Sequence, residues 1–281
     1  MVLGPASWFL SCAHVPAPAP APAPAATAAP AGPAHRDLST DRATFFGASR
    51  CDKANVLLCE DFESGTLDPA IWQASGTPPT IETTQKARGA RALHVVRDGN
   101  GLSRIRETKT FPVPHNRYYG RAFVRFEALP KEPMTYSHWT IIAGTGTGVR
   151  GEIRIGGQLQ RGANRWGVGT DNRTPEGTGD WTNSDKDPAG QAMPVPEQQW
   201  MCIEWMHDGE HNETRLWWDG IEHPTLATTT DKHGGRKDVP YVLPTFDAVW
   251  LGWHEYQPST LKFDMWLDEI AIDKDRIGCV L

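Results

Sequence analysis

The chain contains a series of short segments rich in aromatic and β-branched residues, separated by Gly, Pro, Asn and Asp. Such segments are typical of β-strands, and no long stretch shows the period of an amphipathic helix. The predicted strands cover residues 91–96, 118–129, 138–144, 151–160, 200–207, 213–223, 249–256 and 263–273. Asp219-Gly220, inside 213–223, is a strong signal for a tight hairpin. So many strands in 281 residues, without internal repeats, predict an all-β fold of two antiparallel sheets, a sandwich or jelly roll.

The residues before the first predicted strand have a different composition. Residues 1–15 are apolar and are assigned to an export signal, although they contain no Lys or Arg. Residues 16–48 are assigned to a Pro/Ala-rich disordered linker, and residues 49–281 to the β-domain. Cys12 is a candidate for the lipid-anchored cysteine of a bacterial lipoprotein. These features predict a secreted or extracytoplasmic protein, and no segment has the ~20 apolar residues of a transmembrane helix.

Four further cysteines, Cys51, Cys59, Cys202 and Cys279, lie in the predicted β-domain. An even number in an exported domain favours disulfides, and three pairings are open. No two of them have the close spacing of a zinc site. The alternative is four reduced, buried cysteines in a cytoplasmic protein.

The charge of the chain limits its partners. The net charge is −6, and no basic stripe is present to replace phosphate counterions, which excludes nucleic acid as a partner. An acidic ligand would need a local cationic patch. The 12 tryptophans include candidates for holding sugar rings, although most are expected in the core.

The segment GEIRIGGQLQ, residues 151–160, divides into two faces at the two-residue period of a strand. One face is apolar. The other presents an acid, a guanidinium and two amides, in the order Glu152, Arg154, Gln158, Gln160. The adjacent Gly156 and Gly157 are expected to let a ligand approach the sheet. This pattern predicts a polar binding surface on one side of the sheet.

Two other predicted strands show similar polar faces. Tyr136, His138 and Thr140 share one face of their strand, and His254 and Tyr256 share a face of another. Periodicity alone does not establish whether these faces meet. For each residue, a hydrogen-bonded or half-buried structural role is the simpler interpretation.

Several stretches in order resemble a known family. They are EDFESGTLDPAIW, ARGARALHV, YGRAFVRF, SHWTII, IRIGGQ, QWMCIEW, LGWHEY and WLDEIAIDKDRIGC, between residues 58 and 281. In the order and spacing of these stretches, the chain resembles the secreted jelly-roll proteins that are typified by a cellulose-induced fungal protein and related to the glucuronan lyases. The resemblance implies a concanavalin A-like sandwich with a cleft on its concave face.

The resemblance also implies a structural calcium site and a disulfide pairing. The matching calcium ligands are the carboxylates of Glu63 and Asp268 and the backbone carbonyl of Arg88, a donor set that suits calcium. The family pairing corresponds to Cys202–Cys279, which leaves Cys51–Cys59 as the second bridge.

The cleft positions of the family match His138, Arg154, Gln158 and Tyr256, which are the expected catalytic residues. Further expected substrate-binding residues are Glu152, Gln160, Tyr136, His254 and Asp171. Glu152 and His254 depart from the family pattern, which leaves the substrate open. Glu152 would repel a uronate unless it pairs with Arg154.

These residues suggest a lyase that cleaves an acidic, uronic-acid-containing polysaccharide by β-elimination, acting as a monomer. Arg154 and Gln158 would stabilise the enolate, and Tyr256 would act as acid or base if Arg154 lowered its pKa, with His138 assisting as the alternative base. One alternative is a non-catalytic carbohydrate-binding protein on the same fold. A glycoside hydrolase is a weaker alternative, because Glu204 and Asp208 form the only candidate acid pair and no third acid accompanies them.

Overall fold

The described residues of the computed structural model, residue 1 and residues 36–148, 150–172, 179–235 and 241–281, fold mainly into β-strands. The strands are β1 (Leu58–Glu60), β2 (Trp72–Gly76), β3 (Thr80–Glu82), β4 (Ala92–Asp98), β5 (Gly101–Glu107), β6 (Arg117–Ala128), β7 (Tyr136–Thr147), β8 (Arg150–Gln160), β9 (Ala163–Asn172), β10 (Thr182–Asn183), β11 (Trp200–Asp208), β12 (Glu213–Trp218), β13 (Ile221–Glu222), β14 (Thr245–Glu255) and β15 (Lys262–Asp273). The α-helix Pro188–Gln191 and the 3₁₀ turns Arg42–Thr44, Cys51–Lys53, Pro114–Asn116 and Ser184–Lys186 complete the regular structure of this part. None of the described helices is long and apolar enough to cross a membrane.

The strands form two antiparallel sheets. The eight-stranded sheet has the order β13-β12-β11-β6-β15-β4-β3, with β1 paired to β15, and the seven-stranded sheet has the order β10-β9-β8-β7-β14-β5-β2. Both sheets combine pairs of consecutive strands with pairs that are distant in sequence, such as β6–β15 and β7–β14, as expected for a jelly roll. The predicted all-β, two-sheet fold is confirmed.

A tryptophan-rich core fills the space between the sheets. Trp139 and Trp253 stack with ring centres 5.2 Å apart, and Phe126 meets both edge-on. Gly120 is required here because a Cβ atom at this position would lie 2.0 Å from the Trp205 ring. Aromatic side chains therefore supply much of the buried apolar area that stabilises the fold.

The hairpin predicted at Asp219-Gly220 is present. β12 ends at Trp218 and β13 begins at Ile221, and both turn residues have positive φ, 49° and 81°. Both central residues of a type I′ turn have positive φ, which explains the Asp-Gly pair.

The N-terminal boundary of the domain differs from the predicted residue 49. Phe45 is fully buried, Gly47 accepts a backbone hydrogen bond from Gly89 at 2.8 Å, and Arg36 forms an ion pair with Asp273. Residues 36–48 therefore belong to the domain, because their apolar and charged groups have partners on it. The export signal and Cys12 lie outside the described residues.

Both expected disulfides are present. Cys51 is joined to Cys59, and Cys202 in β11 is joined to Cys279 near the C-terminus. The second bridge closes a loop across 77 residues and ties the C-terminal segment to the eight-stranded sheet.

A buried ion network lies beside this bridge. Glu269 forms ion pairs with Arg88 at 2.9 Å and with Arg121 at 3.1 Å, and all three side chains are at most 1% exposed. Glu269 itself has a φ of 48° at an irregularity in β15. Its carboxylate also accepts a hydrogen bond from the backbone N–H of Arg50 at 2.8 Å.

Glu269→Gln should destabilise the protein strongly. The substitution keeps the shape of the side chain but leaves two buried guanidinium groups without their anion, which costs about 3–5 kcal/mol. Denaturant unfolding at neutral pH measures the change.

Glu213→Gln is the matched control, because Glu213 pairs with Arg215 at 2.7 Å on the surface. It should change the free energy of unfolding very little. Equal losses for the two variants would show that the buried network contributes no more than a surface ion pair.

Candidate functional site

Polar side chains from β7, β8, β9 and β14, and from Tyr256 directly after β14, meet on the outer face of the seven-stranded sheet. The register places His138 opposite Gln158, Tyr136 opposite Gln160 and His254 opposite Thr140. We call this surface the polar face. It contains the nine residues expected at the site, His138, Arg154, Gln158, Tyr256, Glu152, Gln160, Tyr136, His254 and Asp171, which are linked by the contacts described below.

Arg154 lies at the centre of the polar face and is 7% exposed. Its guanidinium is 3.7 Å from the Glu152 carboxylate and 3.5 Å from that of Asp171. Glu152 therefore pairs with Arg154. This pairing offsets the charge of Glu152, which would otherwise repel an acidic ligand. Both separations exceed ordinary hydrogen-bond length, and Nε of Arg154 has no hydrogen-bond partner within the described residues. Nε is shielded from solvent, so donation to a ligand depends on the terminal nitrogens of the guanidinium.

Tyr256 lies against Arg154, with the guanidinium carbon 5.3 Å from the ring centre. Its hydroxyl is 3.3 Å from Oγ1 of Thr140. Burial raises the pKa of Tyr256, while Arg154 acts to lower it and Glu152 to raise it. The expected lowering by Arg154 is thus outweighed by desolvation. Tyr256 is a protonated phenol at neutral pH.

Two histidine rings flank Tyr256. The His254 ring centre is 3.9 Å from that of Tyr256, and the His138 ring centre is 5.1 Å away. Burial lowers the pKa of His138 to about 3, with further lowering by Arg154 and His254. His138 is therefore neutral at physiological pH. Its Nε2 is buried and has no hydrogen-bond partner among the residues that the structure describes.

Gln158 and Gln160 extend the polar network to one end of the face. Gln158 donates to the Tyr136 hydroxyl at 3.2 Å, and Gln160 donates to the Gln158 side chain at 2.5 Å. These amides can exchange such bonds for hydroxyl groups of a sugar.

Trp181 is a site residue that sequence analysis did not identify. Its ring lies 4.3 Å from the His138 ring and 5.9 Å from the Arg154 guanidinium. Gly167 makes room for it, because a Cβ atom there would lie 2.5 Å from the indole. Trp181 precedes the two-residue strand β10, where no alternating pattern exists to place it on a face.

Gly156 and Gly157 have a different role from the one expected. A Cβ atom on Gly156 would lie 2.0 Å from the backbone oxygen of Trp139, and one on Gly157 would lie 2.4 Å from the Trp139 ring. The missing side chains therefore allow β8 to pack against β7. The space is occupied by protein and does not serve a ligand.

The expected calcium ligands lie away from the polar face, around the loop at residues 87–91. Asp268 accepts backbone hydrogen bonds from Ala87 and Arg88 at 2.8 and 2.9 Å. Glu63 accepts backbone hydrogen bonds from Ala90 and Arg91 at 2.7 and 2.9 Å. Neither carboxylate forms an ion pair with a described residue. Two carboxylates therefore hold the same loop.

The acids considered for a glycoside hydrolase are not at the polar face. Glu204 belongs to β11 of the eight-stranded sheet, where it accepts hydrogen bonds from Arg276 and from the backbone of Gly278, both at 2.8 Å. Asp208 accepts hydrogen bonds from the backbone of Glu210 and His211. Both side chains have structural partners, which removes this acid pair as a catalytic dyad.

His138 should remain neutral far below the usual histidine pKa. In an NMR titration we expect its ring to stay unprotonated until the pH approaches about 3. His211 is the internal control, because Asp208 raises its pKa and it should protonate first. Protonation of His138 near the ordinary value of about 6.5 would contradict the burial seen here.

The lowered pKa of His138 also makes the stability of the fold depend on pH. Between about pH 6.5 and 3 the unfolded state binds the proton and the folded state does not, so stability falls as the pH is lowered through this window. His138→Gln removes this contribution, so its stability should depend less steeply on pH over the same range. Denaturant unfolding at several pH values measures the difference.

Comparison with known proteins identifies the family. Residues 61–275 match the family model described as polysaccharide lyase-like, Cip1-like, core domain. Among solved structures, the cellulose-induced protein Cip1 aligns with a TM-score of 0.60 and 24% identity, covering 79% of this chain and 99% of that chain. The binding domain of Paraclostridial Mosquitocidal Protein 1 aligns with a TM-score of 0.51 and 11% identity, covering 80% of this chain and 50% of that chain.

These structural similarities concern the fold. No curated protein sequence matches the chain significantly. Because the family model spans most of the β-domain, the chain belongs to the Cip1-like core-domain group of the polysaccharide lyase-like family.

Proposed function

We propose that the chain is a lyase that cleaves a uronic-acid-containing polysaccharide by β-elimination at the polar face. Membership of a polysaccharide lyase-like family supports a carbohydrate-active role. The main supporting observation is the adjacency of a buried guanidinium, a phenol and a neutral imidazole, those of Arg154, Tyr256 and His138. The two disulfides support a secreted or extracytoplasmic location.

Arg154 is suited to hold the uronate carboxylate. The proton at C5 of a uronate becomes more acidic when the neighbouring carboxylate is neutralised, because negative charge develops on it during proton removal. A guanidinium offers two parallel donors to a carboxylate, and the carboxylates of Glu152 and Asp171 hold Arg154 only at 3.7 and 3.5 Å, beyond ordinary hydrogen-bond length. Gln158 supplies an additional neutral donor.

The protonation states suggest a division of roles between Tyr256 and His138. Neutral His138 accepts the proton from C5, and the C–H electrons form the C4–C5 double bond as the C4–O bond breaks. Tyr256, still protonated because its pKa is raised, donates its proton to the leaving oxygen. The bound carboxylate, being negative, favours protonated His138 during the reaction. Solvent then restores both groups.

Tyr256→Phe should abolish elimination while leaving substrate binding intact. Removal of a proton donor typically lowers the rate by about 10²–10⁴-fold. The ultraviolet absorbance of the unsaturated uronate product measures the rate on a panel of polyuronates, and calorimetry measures binding.

Tyr119→Phe is the control, because Tyr119 lies in β6 of the other sheet, near Trp217. It should retain the wild-type rate. If Tyr256→Phe also retained it, the assigned role of Tyr256 would be wrong.

The alternative is a non-catalytic carbohydrate-binding protein. Two observations favour it: the Nε2 atom of His138 is buried near Trp181, and a pKa of about 3 makes His138 a weak base. The two functions differ in one measurement. Saturable binding of a polyuronate without any rise in ultraviolet absorbance would support the binding protein.

A structural calcium ion is also proposed, held by Glu63, Asp268 and the backbone carbonyl of Arg88. Asp268 is fully buried, and burial raises its pKa to about 8 although backbone hydrogen bonds act to lower it, so a cation beside this carboxylate would stabilise its charged form. Gly89 brings the loop against Glu63, because a Cβ atom there would lie 2.3 Å from Oε1. These oxygen donors fit calcium, which would fix the loop to β15.

Added calcium should raise the midpoint of thermal unfolding, and a chelator should reverse the effect. At 100 times its dissociation constant, a ligand stabilises the folded state by about 2.7 kcal/mol. Glu63→Gln should remove the response, whereas Glu82→Gln, at an acid that contacts His94 elsewhere, should keep it. An unfolding midpoint that is independent of calcium would exclude the site.

A further inference from the structure

A second arginine, Arg104 in β5, lies on the polar face, and two contacts hold its side chain in place. Its Nε donates to Oγ of Ser75 at 3.1 Å, and its guanidinium carbon lies 4.5 Å from the Trp250 ring centre. The side chain is half-buried. The hydrogen bond and the stacking together fix the plane of the guanidinium, while its two terminal nitrogens have no hydrogen bond to a described residue.

Arg104 differs from the neighbouring arginines in lacking an anion. Arg154 is close to Glu152 and Asp171, and Arg106 pairs with Asp247 at 3.1 Å. No carboxylate within the described ranges lies at ion-pair distance from Arg104. Burial lowers its pKa, with Glu152 acting in the opposite direction from further away. A partly desolvated cation of this kind gains from an incoming carboxylate.

The location of Arg104 limits which ligands could bring a carboxylate to it. β5 and β8 are separated by β7 and β14, so the backbones of Arg104 and Arg154 lie about 14 Å apart, at about 4.8 Å per strand. His254 belongs to β14, which lies between β5 and β8, and the charges of both arginines add to the effect of burial and lower its pKa to about 4. This separation is between backbones, and a chain of sugars that crosses β7 and β14 can present one carboxylate to each guanidinium.

We propose that Arg104 forms a second carboxylate-binding subsite, which takes another uronate residue of the same polysaccharide chain. This inference rests on the proposed function and specifies its substrate class. The substrate is a polymer with carboxylates on more than one of the residues that occupy the polar face. A neutral polysaccharide with isolated uronate residues would use Arg154 alone.

The guanidinium geometry favours a carboxylate over a neutral hydroxyl. With Nε bonded to Ser75, the two terminal nitrogens form an edge that accommodates both oxygens of a carboxylate. The stack on Trp250 reduces the entropy lost on binding, because the side chain is already held. Lysine provides neither the fork nor the stacking plane.

The test is calorimetric titration of tetrauronides of glucuronate, galacturonate and mannuronate into the Tyr256→Phe variant, which prevents turnover. Arg104→Gln in this background should weaken binding about tenfold, the effect of one charge-assisted hydrogen-bonding pair. Arg104→Lys should restore part of the loss. The same tetramers with their carboxyl groups reduced to alcohols should bind equally to both proteins.

Arg106→Gln is the matched control, because Arg106 is the neighbouring arginine of the same strand and already has its own carboxylate partner. Arg106→Gln should leave the affinity for the tetrauronides close to that of the Tyr256→Phe protein. Ser75→Ala should weaken binding less than Arg104→Gln, because it removes only the bond that orients the guanidinium.

The outcomes separate the subsite from the lyase activity. Unchanged affinity in Arg104→Gln, or an equal loss for the reduced tetramers, would overturn the subsite even if the wild type eliminates the substrate. If Arg104→Gln lowers the affinity for the acidic tetramers only, and the wild type forms no ultraviolet-absorbing product, the subsite is supported and the proposed lyase activity is contradicted. Absence of binding by every tetrauronide would overturn the subsite as well.

Discussion

The rest of the structure depends on the two ion pairs that the buried carboxylate of Glu269 forms with Arg88 and Arg121. Arg88 also donates to the backbone oxygens of Phe45 and Cys279, so one guanidinium joins the N-terminal segment, the loop at 87–91 and the C-terminus. A buried charge of this kind is tolerated only when it is fully paired. The network therefore specifies how these segments meet against β6 and β15 of the eight-stranded sheet.

The sequence was sufficient to predict the sheets because most strands combine aromatic residues with clear alternation, as in β6, β11 and β15. The strands that it missed, among them β5 and β9, contain Arg, Ser, Asn and Gly in place of a continuous apolar face. Their strand conformation is imposed by neighbouring strands, an effect of tertiary structure that local propensity does not contain. The domain start was misplaced because residues 36–48 are stabilised by distant partners such as Asp273.

For the site, alternation identified which side chains of each strand share a face, and the family resemblance indicated that these faces meet. Register, which the sequence does not specify, brings His138 opposite Gln158. The condition that Arg154 lowers the pKa of Tyr256 is not met, because burial raises this pKa more than the guanidinium lowers it, and burial is a property of the folded chain. Trp181 was missed because it reaches the face from a segment with no periodic pattern.

The disulfide from Cys202 and the Glu269 network both involve strands of the eight-stranded sheet, whereas the polar face belongs to the seven-stranded sheet. The groups that hold the fold together are thus distinct from the groups of the proposed binding site. Substitutions on the polar face, for example at Glu152 or His254, leave these scaffold interactions in place. Such a division allows ligand preference to diverge during evolution while the sandwich persists.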